Sequence, residues 1–80
     1  MRIDKFLKVS RLIKRRTVAN EACDTGRISV NGNVVKASYD VKAGDIIEIN
    51  FAGKITKAKV LEIAEHTLKN EASNLYEIIQ

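Results

Sequence analysis

Along the chain the apolar positions follow a helical period first and an alternating period afterwards. Ile3, Phe6 and Leu7 stand at i, i+3 and i+4, the spacing of one buried helical stripe, while Arg2, Lys5 and Lys8 recur every three residues on the other side. This predicts a helix over residues 2–9 that buries its apolar stripe and offers three cations outward. Ser10 to Arg16 reads as a basic connection, with Leu12 and Ile13 as anchors into the core. A second helix fits residues 17–25, with Val18, Ala19, Ala22 and Cys23 inward and Asn20, Glu21 and Asp24 facing away. Thr17 is its expected N-cap, although Asn20 replaces the glutamate that would complete a capping box. Gly26 supplies the left-handed residue that ends many helices.

Beyond Gly26 the period becomes two. Ile28-Ser29-Val30 and Asn33-Val34-Val35 flank Asn31-Gly32, the pair that suits a type I′ hairpin turn. Ala43-Gly44-Asp45 turns into the alternating run Ile46–Phe51, and Ala52-Gly53-Lys54 reverses the chain into Ile55 to Ile63. Residues 66–74 are polar and fit either a loop or a short helical turn. Leu75 to Ile79 closes as a strand or a helix, and the pattern does not choose. The expected fold is α+β: two short N-terminal helices packed on a small antiparallel β-sheet. Residues 1–80 form one domain, with a core motif over about 1–50 and a strand extension over 51–80.

Charge changes the picture more than composition does. The net charge is only +4, with 45% hydrophobic and 30% charged residues. Its distribution is uneven. Residues 1–36 carry nine Lys or Arg against three acids, a balance of +6, and residues 37–80 carry five Lys against seven acids, a balance of −2. That asymmetry suits a polyanion-binding face backed by an acidic surface directed at solvent or a protein partner. No apolar run approaches the roughly 18 residues of a membrane span, and no signal-peptide pattern opens the chain. The one cysteine, Cys23, cannot form an internal disulfide, which fits a reducing compartment and a cytoplasmic location.

The residue pattern also resembles a known family. Arg2-Ile3-Asp4-Lys5-Phe6-Leu7 opening one helix and Arg16-Thr17-Val18-Ala19 opening the next are followed by Gly26-Arg27-Ile28-Ser29-Val30-Asn31-Gly32. With Val41, Gly44, Asp45 and Ile47 after them, these residues are similar to the αL RNA-binding motif, named after the small-subunit ribosomal protein S-four. The likeness covers about residues 1–50. Many members read Ser-Arg-Ser where this chain has Arg15-Arg16-Thr17, so only Arg16 and the Thr17 hydroxyl carry over directly. The free-standing form, running Phe6 to Thr17 without an attached enzyme, resembles the RqcP family of bacterial ribosome-quality-control factors, and more distantly a heat-shock-induced ribosome-binding factor.

That resemblance implies binding to ribosomal RNA and tRNA on a large ribosomal subunit blocked by peptidyl-tRNA. It also implies a tRNA-recruiting protein partner that adds alanine tails to stalled chains. A heat-shock-type recycling factor, a regulator of another structured RNA, and a basic module docking an acidic protein are the alternatives.

Charge and spacing make Arg2, Lys5, Lys8, Arg11, Lys14, Arg15, Arg16, Arg27 and Lys36 the RNA-binding candidates, and the resemblance implies the Thr17 hydroxyl beside them. Arg2 and Arg16 lead, because a guanidinium grips two phosphate oxygens at once. The start of the second helix adds free N–H groups and a positive dipole end. Phe6 and Phe51 are expected in the core, so recognition should rest on RNA shape and backbone rather than base stacking. Tyr39 is expected to pack on the sheet, and Gly44 and Asp45 to serve as turn formers only. Cys23 reads as a small buried residue, His66 as a solvated one, and Asp4 as a partner for a helix end or a nearby cation. No catalytic residue, metal site or cofactor is indicated, since one cysteine and one histidine cannot build a structural zinc site.

Overall fold

The computed structural model describes residues 1–79. Helix α1 spans Ile3–Val9 and α2 spans Arg16–Asp24. Five strands follow: β1 Ile28–Val30, β2 Asn33–Val34, β3 Ile46–Phe51, β4 Lys54–Val60 and β5 Tyr76–Ile79, with a 3-10 segment over Lys69–Leu75 before the last. All pairings are antiparallel, and the sheet order is β2-β1-β3-β4-β5. The expected α+β layering is what forms. The open alternatives resolve as a 3-10 turn within the polar stretch and a strand at residues 76–79.

Periodicity explains the core. Ile3, Phe6 and Leu7 are each fully buried, as the i, i+3, i+4 stripe requires. Across the sheet, Ile28 pairs with Ile49, Val30 with Ile47, and Ile47 with Ala58, all of them buried. Residues directly opposite share a face, so these pairs make one apolar surface for the helices to cover. Ser29, Glu48, Lys57 and Lys59 alternate onto the other side.

Two turns carry unusual backbone. Asn31 (φ 52°) and Gly32 (φ 87°) both adopt the positive φ of the expected type I′ turn, and Ala52 (φ 50°) and Gly53 (φ 81°) repeat it between β3 and β4. Asn31 also ties the hairpin to β3. Its Oδ1 accepts from the Ile46 amide at 3.0 Å and its Nδ2 donates to Asp45 at 3.2 Å. Asp45 is thus more than a turn former, since it also accepts from the Lys42 amide at 3.0 Å and the Tyr39 hydroxyl at 3.4 Å.

Several expectations need correction. The second helix starts at Arg16, with Arg15 in the extended N-cap position and no side-chain cap bond, so Thr17 lies inside the first turn and does not cap. The helical bonding starts two residues earlier than a Thr17 cap would place it, since the Ala19 amide donates to the Arg15 carbonyl at 3.0 Å. Val18 is 39% exposed and does not join the apolar face of α2. It borders a shallow groove with Arg27 and Phe51, and Phe51 is half-buried there and not in the core. Strand β4 ends at Val60 and not Ile63: the Leu61 amide donates to the Leu75 carbonyl in register at 2.9 Å, but the Glu62 amide turns to that same carbonyl at 3.3 Å, so the ladder advances no further.

Candidate nucleic-acid interface

The candidate interface is built around a buried acid. Asp4 lies in the first turn of α1, 2% exposed, beside the start of α2. Its Oδ1 accepts from the Lys5 amide at 2.8 Å and from Arg2 Nε at 3.2 Å. Its Oδ2 accepts from Arg2 Nη2 at 3.3 Å and from Asn20 Nδ2 at 3.2 Å. Arg16 Nη2 reaches Oδ1 at 3.5 Å. Burial alone pushes this carboxyl up, but the Asn20 and Arg2 donors and the charges of Arg16 and Arg2 outweigh it and hold it below the usual value of 3.8. The carboxylate is therefore charged at neutral pH and fully committed to its donors.

This geometry presents two guanidiniums together. The Arg2 side chain is 52% exposed and Arg16 46% exposed, so each keeps unpaired N–H groups toward solvent while one edge rests on Asp4. Cations at the start of α2 oppose its dipole by a few tenths to about 1 kcal/mol. Helix stability therefore does not account for Arg15, Arg16 and the absence of acids in that first turn. Asp4 offsets the cost from another helix. Sequence reading assigned Arg2 and Arg16 to the site and Asp4 to pairing with a cation, but placed Asn20 away from the contact. The signal for Asn20 was available: it stands four residues after Arg16 and so shares its helix face.

The remaining candidates separate into distinct places. Lys5 is not a free outward cation; it is one-third exposed and its Nζ pairs with Glu65. Lys8, Arg11 and Lys14 line a cleft of about 200 Å³ at the end of α1, whose other wall is Glu65, His66 and Thr67. Arg15 and Thr17 are exposed at the start of α2. Arg27 sits beyond the far end of α2 with its guanidinium 5.7 Å from the Phe51 ring centroid, a cation–π contact. Lys36 is exposed after β2. Among the described residues, Lys8, Arg11, Lys14, Arg15, Arg27 and Lys36 form no ion pair.

Two features fall outside the sequence reading. The acidic second half does not wholly face away, because residues 65–67 return to the basic helices. Arg11 also holds a positive φ of 63°, which nothing in its local sequence announces. Cys23 is buried, and burial, then the Asp4 and Asp24 charges, push its thiol up to about 11, so it is inert at neutral pH. Among the described residues no helix is long and apolar enough to cross a membrane, and no three His, Cys, Asp or Glu gather as a metal-holding group.

Comparison with known proteins gives a consistent result. Residues 1–47 match the S4 domain family. The chain is 56% identical over 80 residues to the RQC P-site tRNA stabilizing factor of Bacillus subtilis, covering 100% of this chain and 93% of that one. The solution structure of hypothetical protein HP1423 superposes with a TM-score of 0.84 at 34% identity, covering 100% of this chain and 98% of that chain. The trimeric structure of Vibrio cholerae Heat Shock Protein 15 superposes with a TM-score of 0.90 at 26% identity, covering 99% of this chain and 81% of that one. The chain belongs to the S4 domain family and, within it, to the family of RQC P-site tRNA stabilizing factors.

Proposed function

We propose that this protein is an RNA-binding factor of ribosome-associated quality control, holding tRNA and ribosomal RNA on a large ribosomal subunit while a stalled chain receives its alanine tail. The observation that carries the reading is the pair of guanidiniums, Arg2 and Arg16, fixed side by side on the buried Asp4 carboxylate with their outer N–H groups free. A preorganised pair of forks meets two phosphates with little ordering cost, whereas two free arginines would lose side-chain entropy on binding. Lys8, Arg11, Lys14, Arg15, Thr17, Arg27 and Lys36 extend the contact, and Lys5 supports it through Glu65. The protein acts by binding, with no chemistry of its own, and works in the cytoplasm beside a tRNA-recruiting protein. The P-site tRNA named in its relatives is the partner we assign to it.

The test is sedimentation of the tagged protein on a sucrose gradient with sequencing of crosslinked RNA, beside an Arg2→Ala/Arg16→Ala variant. Co-sedimentation of the wild type with large subunits and crosslinks to tRNA and ribosomal RNA, both lost in the variant, are expected. A wild-type protein that stays at the top of the gradient at low salt would overturn the assignment.

A further inference from the structure

Arg11 occupies in α1 the place that Gly26 occupies in α2. Each is the residue after the helix C-cap, each has positive φ (63° and 75°), and each amide donates to the carbonyl three residues back, Lys8 at 3.0 Å and Cys23 at 3.1 Å. Glycine is the usual occupant of this position because a Cβ is disfavoured there. A glycine at Arg11 would serve the backbone better, so the fold bears strain to keep a guanidinium at this point.

That guanidinium lines the cleft at the end of α1. One wall is Lys8, Arg11 and Lys14, three cations without acidic partners among the described residues. The other wall comes from the far end of the chain. After β4 the segment is pinned along α1 by Ile63 and Ala64, which pack on the core, and by the Lys5–Glu65 ion pair. Glu65 is the one acid in the cleft, and the Lys5 ammonium, which holds its carboxyl below the ordinary range, offsets its charge. His66 and Thr67 line the same cleft, and their side chains carry a ring N–H and a hydroxyl that can donate to an anion.

We propose that this cleft is a second phosphate site, in which one RNA backbone phosphate sits between Lys8, Arg11 and Lys14 on one side and His66 and Thr67 on the other. It rests on the RNA-binding reading above and adds to it. The segment after β4, outside the matched S4 residues 1–47, becomes part of the RNA interface. The cleft volume of about 200 Å³ is large enough to seat a phosphate group.

Two substitutions in the full chain test it, with purified large subunits carrying P-site tRNA as the probe and binding measured across KCl concentrations. Arg11→Gly relieves the backbone, so its Tm should equal or exceed that of the wild type. Its affinity should fall about tenfold, and the slope of log K against log salt should shrink by roughly one phosphate contact. His66→Glu, at an exposed position, should fold normally and lose about tenfold or more by placing a carboxylate in the phosphate's seat. Unchanged affinity in either variant overturns the site. The Arg2→Ala/Arg16→Ala variant separates the two readings: if it binds like wild type, the RNA reading itself falls. If it alone loses binding, only the cleft falls.

Discussion

Asp4 and Arg16, twelve residues apart, meet at 3.5 Å across the corner between α1 and α2, joining the first turns of the two helices. A buried carboxylate is tolerated here because it has five donors, two of them from one arginine. Removing either sign from such a cluster leaves the other uncompensated, so the cluster couples the helix corner to the placement of both guanidiniums.

Asp4→Asn should therefore cost about 1–3 kcal/mol in urea unfolding, since bonds to a charged group are weakened and one amide N–H meets donors only. RNA affinity should fall as well, although no residue expected to touch RNA has been changed. A variant with wild-type stability and wild-type affinity would show that Asp4 does not position the arginines.

Arg2→Lys and Arg16→Lys keep the charge and lose the planar fork. Each should weaken binding with nearly the same salt slope, whereas Arg2→Ala should also reduce that slope by about 0.7–0.9, the share of one phosphate contact. Titrations at four or more KCl concentrations separate the two effects.

Acid titration should report Asp4. Its folded value lies below the unfolded 3.8, so the stability it contributes is fully present above about pH 4 and is lost as pH falls through the lower folded value. Thermal unfolding between pH 6 and pH 2 should show a steeper acid limb in the wild type than in Asp4→Asn. Parallel limbs would mean that Asp4 is not linked to folding.

Cys23 should resist alkylation in the native state. With its thiol pushed up to about 11 and its side chain buried, iodoacetamide at pH 8 should react at a rate set by unfolding, and rapidly once urea is added. Rapid labelling without urea would contradict the packing of α2.

Ala52 holds φ 50° in the turn between β3 and β4, a conformation that asparagine tolerates better. Ala52→Asn should recreate the Asn-Gly pair found at Asn31-Gly32 and raise stability by about 0.5–1 kcal/mol. Tm measured by circular dichroism checks this.

The fold was largely legible in the sequence because its elements obey local periods. The Ile3, Phe6, Leu7 stripe, the alternation of Ile28 to Val30 and Ile46 to Ile49, and the turns at Asn31-Gly32 and Ala52-Gly53 each express a repeat that survives into the structure. Residues without a period were harder. Leu75 to Ile79 fits a strand or a helix until β4 offers a ladder to join, and Phe51 follows the strand period yet packs half-buried at the margin of the core with Arg27 near its ring.

The basic residues were also legible, since charge is countable along a chain. Their grouping was not. Arg2 and Arg16 become one site only because Asp4 is buried between two helices, Lys5 is drawn off by Glu65 from sixty residues away, and Lys8, Arg11 and Lys14 face a wall supplied by His66 and Thr67. Sequence alone determined the helical and strand periods, the turns and the excess of cations, because these depend on neighbours a few residues apart. Tertiary structure decided which charges are shared, which are free and where Arg11 is strained, because those depend on elements that meet only after the chain has closed on its core.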